Sequence, residues 1–182
     1  MQRFITLAFS ALLLLSLNAA TPETHYTVIV SLDGFRWDYP DMYKTPNLDR
    51  MAADGVKAVM LPSYPASTFP NHYTLATGLV PDHHGIINNT FWDVKNRRQY
   101  SMGDSATRNN PEYYLGEPIW ITAQKQGVKT GNMYWVGSDI AIKKSHPTYY
   151  RPWNAKPFLT FEQRIDTVLT WLQKPEPERP RL

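Results

Sequence analysis

The chain contains no cysteine. This removes disulfides, cysteine-ligated zinc and a thiolate nucleophile together, and it excludes a lipoprotein signal. Small eukaryotic secreted domains lean on disulfides, so a cysteine-free exported chain fits a bacterial periplasm better. A stripe of basic residues is also missing. The net charge is +3 and the pI is near 9.0. The clusters are short, at Asn96-Arg97-Arg98 and Lys143-Lys144, whereas a nucleic-acid footprint needs a continuous basic face. The charge reads as solvated surface. No internal repeat is present. The one long apolar run, Phe4 to Leu17, is short for a membrane span, and no second run follows it.

That run is a signal-peptide pattern. Arg3 supplies the positive start, Phe4 to Leu17 the apolar stretch, and Ala19 and Ala20 the small residues at a cleavage site. Residues 1–20 are therefore expected to be removed, leaving 21–182 as one exported domain, periplasmic or secreted, with no membrane span in the mature chain. At 182 residues and 42% hydrophobic the chain can build a core. Aromatics make up 13%; any one of them is more simply read as core than as pocket lining.

Strand and helix signals alternate. Tyr26 to Leu32 is an apolar, β-branched run suited to a buried parallel strand. Thr45 and Pro46 open a helix that Gly55 ends. Val56 to Leu61 reads as a second strand, Thr68 to Ala76 as a helix stopped by Gly78, and Ile86 to Val94 as a short strand or extended loop. A helix over Glu117 to Gln126 ends at Gly127, and Lys129 to Trp135 is another strand. Phe161 to Gln173 is an amphipathic helix with Phe161, Ile165, Val168, Leu169 and Leu172 on one face. Pro175 to Leu182 forms no evident element and reads as a linker or a cut end. The βαβα order predicts an α/β fold with a mainly parallel central sheet flanked by helices.

In such folds ligands gather at the carboxyl ends of strands. Asp33 ends the first apolar run, where a carboxylate can hold a divalent metal; equally, Asp33-Gly34 can be a plain turn. Thr68 sits at the start of a helix, whose free N–H groups and partial positive charge favour a phosphate. It could equally be only a helix cap. A threonine hydroxyl becomes a nucleophile when a metal or base lowers its pKa, so the two residues need each other.

A longer pattern joins them. Ile29-Val30-Ser31-Leu32-Asp33-Gly34-Phe35-Arg36, Thr68-Phe69-Pro70-Asn71-His72-Tyr73, Thr77-Gly78-Leu79, His84-Gly85-Ile86-Ile87-Asn88-Asn89, Pro118-Ile119-Trp120 and Trp135-Val136-Gly137-Ser138-Asp139 together resemble the nucleotide pyrophosphatase/phosphodiesterase family of the alkaline phosphatase superfamily. The resemblance runs from about Tyr26 to the end of the chain. It implies an alkaline-phosphatase-like fold, incomplete at this length, and two zinc ions. It makes Asp33 a metal ligand and Thr68 both nucleophile and metal ligand. Asn89, with the backbone N–H of Phe69, would stabilise a phosphoryl oxygen. The implied substrate is a nucleotide or another small phosphodiester, cleaved by in-line attack of Thr68 and hydrolysis of the covalent intermediate.

The family's other zinc ligands form an Asp-x-x-x-His motif, an Asp-His pair and a later histidine. His25, His72, His83, His84 and His146 fit none of these patterns, so the remaining ligands are expected downstream of Leu182. His72 and His84 read as hydrogen-bonded structural residues and His83 as solvated. Two alternatives stay open: a non-catalytic fragment, and a phosphate-monoester hydrolase of the same superfamily. A sulfatase is disfavoured, because Thr68 and His72 stand where its Cys or Ser and its Arg would be. Asn88-Asn89-Thr90 is formally a glycosylation sequon.

Overall fold

The computed structural model describes residues 25–182; the signal-like segment lies outside the described residues. Seven helices occur among these residues: α1 (Tyr39–Met42), α2 (Pro46–Asp54), α3 (Thr68–Thr77), α4 (Pro81–His84), α5 (Ser105–Arg108), α6 (Ile119–Lys125) and α7 (Phe161–Leu172). The strands are β1 (Thr90–Asp93), β2 (Arg98–Ser101), β3 (Gly131–Met133) and β4 (Tyr149–Arg151).

The helices begin and end where local chemistry directs. Pro46 opens α2 and Gly55 follows its end. The backbone of Gly78 takes the left-handed conformation after α3 and returns its N–H to the Thr74 carbonyl. Helix α7 starts with a reciprocal capping box between Thr160 and Gln163. Each of these signals acts over three or four residues and needs no distant partner.

The core gathers on one face of α3. Phe69, Tyr73 and Ala76 are buried there and pack with Tyr100, Tyr113, Tyr114, Trp120, Ile121, Val136, Ile140 and Ile142. Tyr73 meets Tyr114 edge to face at 5.3 Å, and Phe91 stacks on Tyr100 at 4.7 Å. The hydroxyls are placed as well: Tyr73 donates to the Leu115 carbonyl at 3.0 Å, and the Tyr100 and Tyr114 hydroxyls pair at 3.1 Å. Each such side chain, fully buried, contributes about 1.5–3 kcal/mol.

Two expected strands do not form as ladders. Tyr26 to Leu32 is extended, yet among the described residues its one backbone bond to a distant segment runs from Thr27 N to the Arg181 carbonyl, 2.9 Å. Val56 to Leu61 pairs with nothing described. Val30 is 75% exposed and Val56 92%. Their sequences suit strands, but a strand exists only with a partner to share its N–H and C=O groups. The Ile86 to Val94 expectation resolves into β1, which pairs antiparallel with β2. Asp93 holds the connecting turn by accepting from the N–H groups of Lys95 and Asn96. The Lys129 to Trp135 run contains β3, parallel to β4 with Gly131 opposite Tyr149.

Pro175 to Leu182 is not a linker. Pro180 is buried, Arg181 N donates to the Lys129 carbonyl at 2.9 Å, and Gly131 N donates to the Leu182 carbonyl at 2.7 Å. The segment lies between β3 and the Tyr26 run. Trp171 of α7 packs over Gly131, where an added Cβ would stand 3.0 Å from the indole, and stacks on Tyr149. The apolar stripe expected to bury α7 is mostly open instead: Phe161, Ile165 and Leu169 are exposed.

Candidate active site

Asp33 and Gly34 form the turn that ends the extended Tyr26 run. Phe35 N donates to the Leu32 carbonyl at 3.1 Å, and Gly34 has φ of +72°. That value suits glycine in the third position of the turn and leaves Asp33 in the second. The exposed Asp33 carboxylate is thereby turned toward the start of α3.

The loop into α3 is organised by Asn71. Its Oδ1 accepts from Ser63 N at 2.8 Å, while its Nδ2 faces the carbonyls of Ser63, Pro65 and Ser67 at 3.3, 2.9 and 3.1 Å. One amide side chain thus replaces the secondary structure that the 63–67 loop lacks. Ser67 is the residue before the helix and Thr68 its first residue. The Thr68 hydroxyl does not cap the helix. It donates to Asp33 Oδ2 at 3.1 Å, bridging 35 positions of sequence.

The helix start offers fewer N–H groups to an anion than the sequence predicts. Phe69 N donates to Asn89 Oδ1 at 2.9 Å. Pro70 has no N–H, and Asn71 N bonds to the Ser67 carbonyl. Among the described residues only the Thr68 N–H of this turn meets no acceptor. The Phe69 contact also fixes the Asn89 amide, because a backbone N–H can only donate: Oδ1 faces Phe69, and Nδ2 is left to donate elsewhere. The two groups that the resemblance pairs around a phosphoryl oxygen thus stand together, bonded to each other, and among the described residues the Asn89 NH₂ meets no acceptor.

His72 lies close to this pair. Its Nδ1 is 2.8 Å from the Thr68 carbonyl, and its Nε2 is 2.9 Å from Ser31 Oγ. The ring meets Trp135 edge to face at 5.5 Å, and the Trp135 indole N–H donates to the His72 carbonyl at 3.1 Å. Ser31, Asn71 and Trp135 carry no role in the sequence reading. The only sequence signal for them is their place inside or beside the matched motifs.

The other histidines lie apart. His84 is fully buried; its Nδ1 accepts from Ile86 N at 3.2 Å, and its Nε2 is 3.0 Å from Thr74 Oγ1. Burial holds its pKa below the ordinary imidazole value. His83 is exposed, and His146 stacks on Tyr150 at 5.1 Å.

For a divalent cation, the Asp33 carboxylate and Thr68 Oγ1 form a converging pair of hard oxygen donors, which fits part of a coordination shell. Among the described residues no group of three or more His, Asp or Glu side chains comes together as a full one.

Against known proteins, the family model "Type I phosphodiesterase / nucleotide pyrophosphatase" matches residues 27–182. Ectonucleotide pyrophosphatase/phosphodiesterase family member 3 of Bos taurus is 43% identical over 156 residues, which are 84% of this chain and 18% of that one. Family member 1 of Homo sapiens is 44% identical over 161 residues, covering 87% and 17%. Venom phosphodiesterase 2 of Crotalus adamanteus is 40% identical over 156 residues, covering 84% and 19%. The chain thus spans less than a fifth of the length of these curated relatives. Murine ectonucleotide pyrophosphatase/phosphodiesterase 5, solved as an inactive threonine-to-alanine form in complex with AMP, superposes with a TM-score of 0.78 at 33% identity, over 87% of this chain and 41% of that one.

Proposed function

Because the chain belongs to the type I phosphodiesterase / nucleotide pyrophosphatase family, we propose that it carries the nucleophile half of an active site that hydrolyses phosphodiester or pyrophosphate bonds in nucleotides. Its fold is α/β and alkaline-phosphatase-like, with structural relatives at TM-scores of 0.75–0.78. The observation that carries the reading is the Thr68 hydroxyl donating to Asp33 at the first residue of α3. A helix cap would turn the same hydroxyl to its own backbone.

In the proposed reaction Thr68 Oγ attacks phosphorus in line with the leaving group. The Oγ–P bond forms, the bond from phosphorus to the leaving oxygen breaks, the hydroxyl proton passes to solvent water, and the departing oxygen takes its proton from water. Water then hydrolyses the phosphothreonyl ester and restores Thr68. The Asn89 Nδ2, set by the Phe69 bond, donates to a non-bridging phosphoryl oxygen as its charge grows. The Thr68 N–H is the backbone donor left for the same task. Asp33 and Thr68 would hold one of two zinc ions, and a bound zinc lowers the pKa of a coordinated hydroxyl. AMP in the murine relative supports a nucleotide substrate.

The test uses the intact protein and a nitrophenyl nucleotide ester. Thr68→Ala abolishes turnover with the fold retained, whereas Thr68→Ser keeps part of it, since a hydroxyl remains. Equal loss in both variants, at normal metal content, would reduce Thr68 to a structural residue. We also propose export to the periplasm or the medium. This rests on residues 1–20 and on relatives named as ectoenzymes or venom enzymes. No described helix is long and apolar enough to cross a membrane.

A further inference from the structure

We propose that His72 is a positioning residue: its imidazole clamps the segment bearing Asp33 to the first turn bearing Thr68 and so holds carboxylate and hydroxyl in register. The inference rests on the reading of Thr68 as nucleophile.

Geometry dictates the clamp. Ser31 lies near the end of the extended run, two positions before Asp33, whose carboxylate the Asp33-Gly34 turn brings to Thr68. His72 follows Thr68 by four positions in α3, so its ring lies over the same helix face. The ring spans the gap between the extended run and the helix, at 2.8 Å to the Thr68 carbonyl and 2.9 Å to Ser31 Oγ. A carbonyl can only accept, so Nδ1 carries the proton and neutral His72 receives the Ser31 hydroxyl at Nε2. Trp135 blocks the ring from turning away, through its edge contact and its bond to the His72 carbonyl.

The clamp matters because little else holds that segment. Residues 25–33 are exposed, and among the described residues a single backbone bond, from Thr27, ties them to a distant part of the fold. Helix α3, by contrast, is anchored by Phe69 and Tyr73 in the core. Without Ser31–His72, the Asp33–Thr68 bond alone would have to keep a solvated segment against a rigid helix. A displacement of about 1 Å at a reacting group costs on the order of 100-fold in rate.

Two measurements test this. In the intact protein, Ser31→Ala lowers kcat roughly five- to tenfold, the loss of one hydrogen bond, with KM little changed. His72→Asn, which keeps an N–H for the Thr68 carbonyl but cannot reach Ser31, falls to the same level. The double variant is no worse than His72→Asn alone. A fall in melting temperature with kcat unchanged, or additive losses, overturns the clamp. Independently of activity, nitrogen-15 spectra of the chain show neutral His72 protonated at Nδ1, with the Nε2 signal displaced by Ser31→Ala. An Nε2–H tautomer, or no response to Ser31→Ala, overturns it equally, and the exposed Ser31 site keeps the test open if His72 variants fold poorly. Thr68→Ala that keeps full turnover removes the nucleophile reading itself, and with it any hydroxyl for His72 to position. Loss in Thr68→Ala alongside unchanged Ser31→Ala sinks only the clamp.

Discussion

Two regions of this chain are both rich in large apolar side chains and behave in opposite ways. From Phe69 to Ile142 the large side chains close on one another: Tyr73, Tyr100, Ile86 and Val136 are 0% exposed. From Tyr26 to Leu61 the same residue types stay open, with Val30 at 75% and Leu61 at 88%. Composition does not explain the difference, since the open region is the more apolar of the two; partners do. Helix α3 brings its apolar face to other elements by its own periodicity. An extended run must borrow a neighbour for its backbone first, and only then can its side chains share a surface. The candidate site straddles this boundary, with Thr68 from the closed region and Asp33 from the open one.

The sharpest way to break the comparison is to cut one side chain from each region. Trp120→Ala, at a position 2% exposed, is expected to cost about 3–5 kcal/mol. Val56→Ala, at 92% exposed, should stay within about 0.5 kcal/mol. Urea unfolding of the chain measures both. Similar losses at the two positions would show that the open region is packed in solution.

The contrast also explains what was legible in the sequence. Several helix starts and stops were, because Pro46, Gly55 and Gly78 act within one turn; the Thr160–Gln163 box, equally local, went unread. Asp33 and Thr68 were singled out by type and place, though their mutual bond depends on tertiary structure. The ladders at Tyr26 to Leu32 and Val56 to Leu61 were misread, since β-branched residues state a preference and not a partner. In residues 175–182 the linker alternative failed: prolines and charges hide the backbone bonds that seat Arg181 beside Lys129, though no helix or strand forms there. Asn71 and Ser31 were silent because their roles are hydrogen bonds to particular groups, and a sequence does not display where those groups arrive.

A second group of experiments concerns the boundary. Asn89→Ala in the intact protein is expected to lower kcat roughly 10- to 1,000-fold, as loss of an oxyanion donor does. An unchanged rate would leave Asn89 as a brace for Phe69 alone. Asn71→Ala strips its partners from the Ser63, Pro65 and Ser67 backbone. These groups are only partly buried, so leaving them unmet costs about 1 kcal/mol, and the loop that presents Thr68 loosens. Melting and turnover should fall together. A variant less stable but equally fast would show that the loop finds its place without Asn71. Zinc titration of the chain extends the comparison: Asp33 and Thr68 supply two donors where zinc takes about four, so weak binding is expected, and about two tightly held ions per chain would contradict it.

The smallest effect is a pH slope within the closed region. His84 is held by Ile86 N at Nδ1 and sits against Tyr73 at 5.0 Å. Burial lowers its pKa from 6.5, against a weak opposing pull from Asp82 and from backbone carbonyls. The unfolded chain therefore takes a proton at a pH where the native state does not. Stability tied to His84 is complete above about pH 6.5 and declines as the pH falls toward the lowered native value. Protonating Nδ1 would also turn the acceptor of the Ile86 N–H into a donor facing a donor, so the native state resists the charge for a geometric reason as well as a dielectric one. Urea midpoints of the chain between pH 7.5 and about 5 should fall, and His84→Gln should flatten that part of the curve while lowering the plateau. An equal slope in His84→Gln and the parent would move the titration to another group and leave the closed region indifferent to acid.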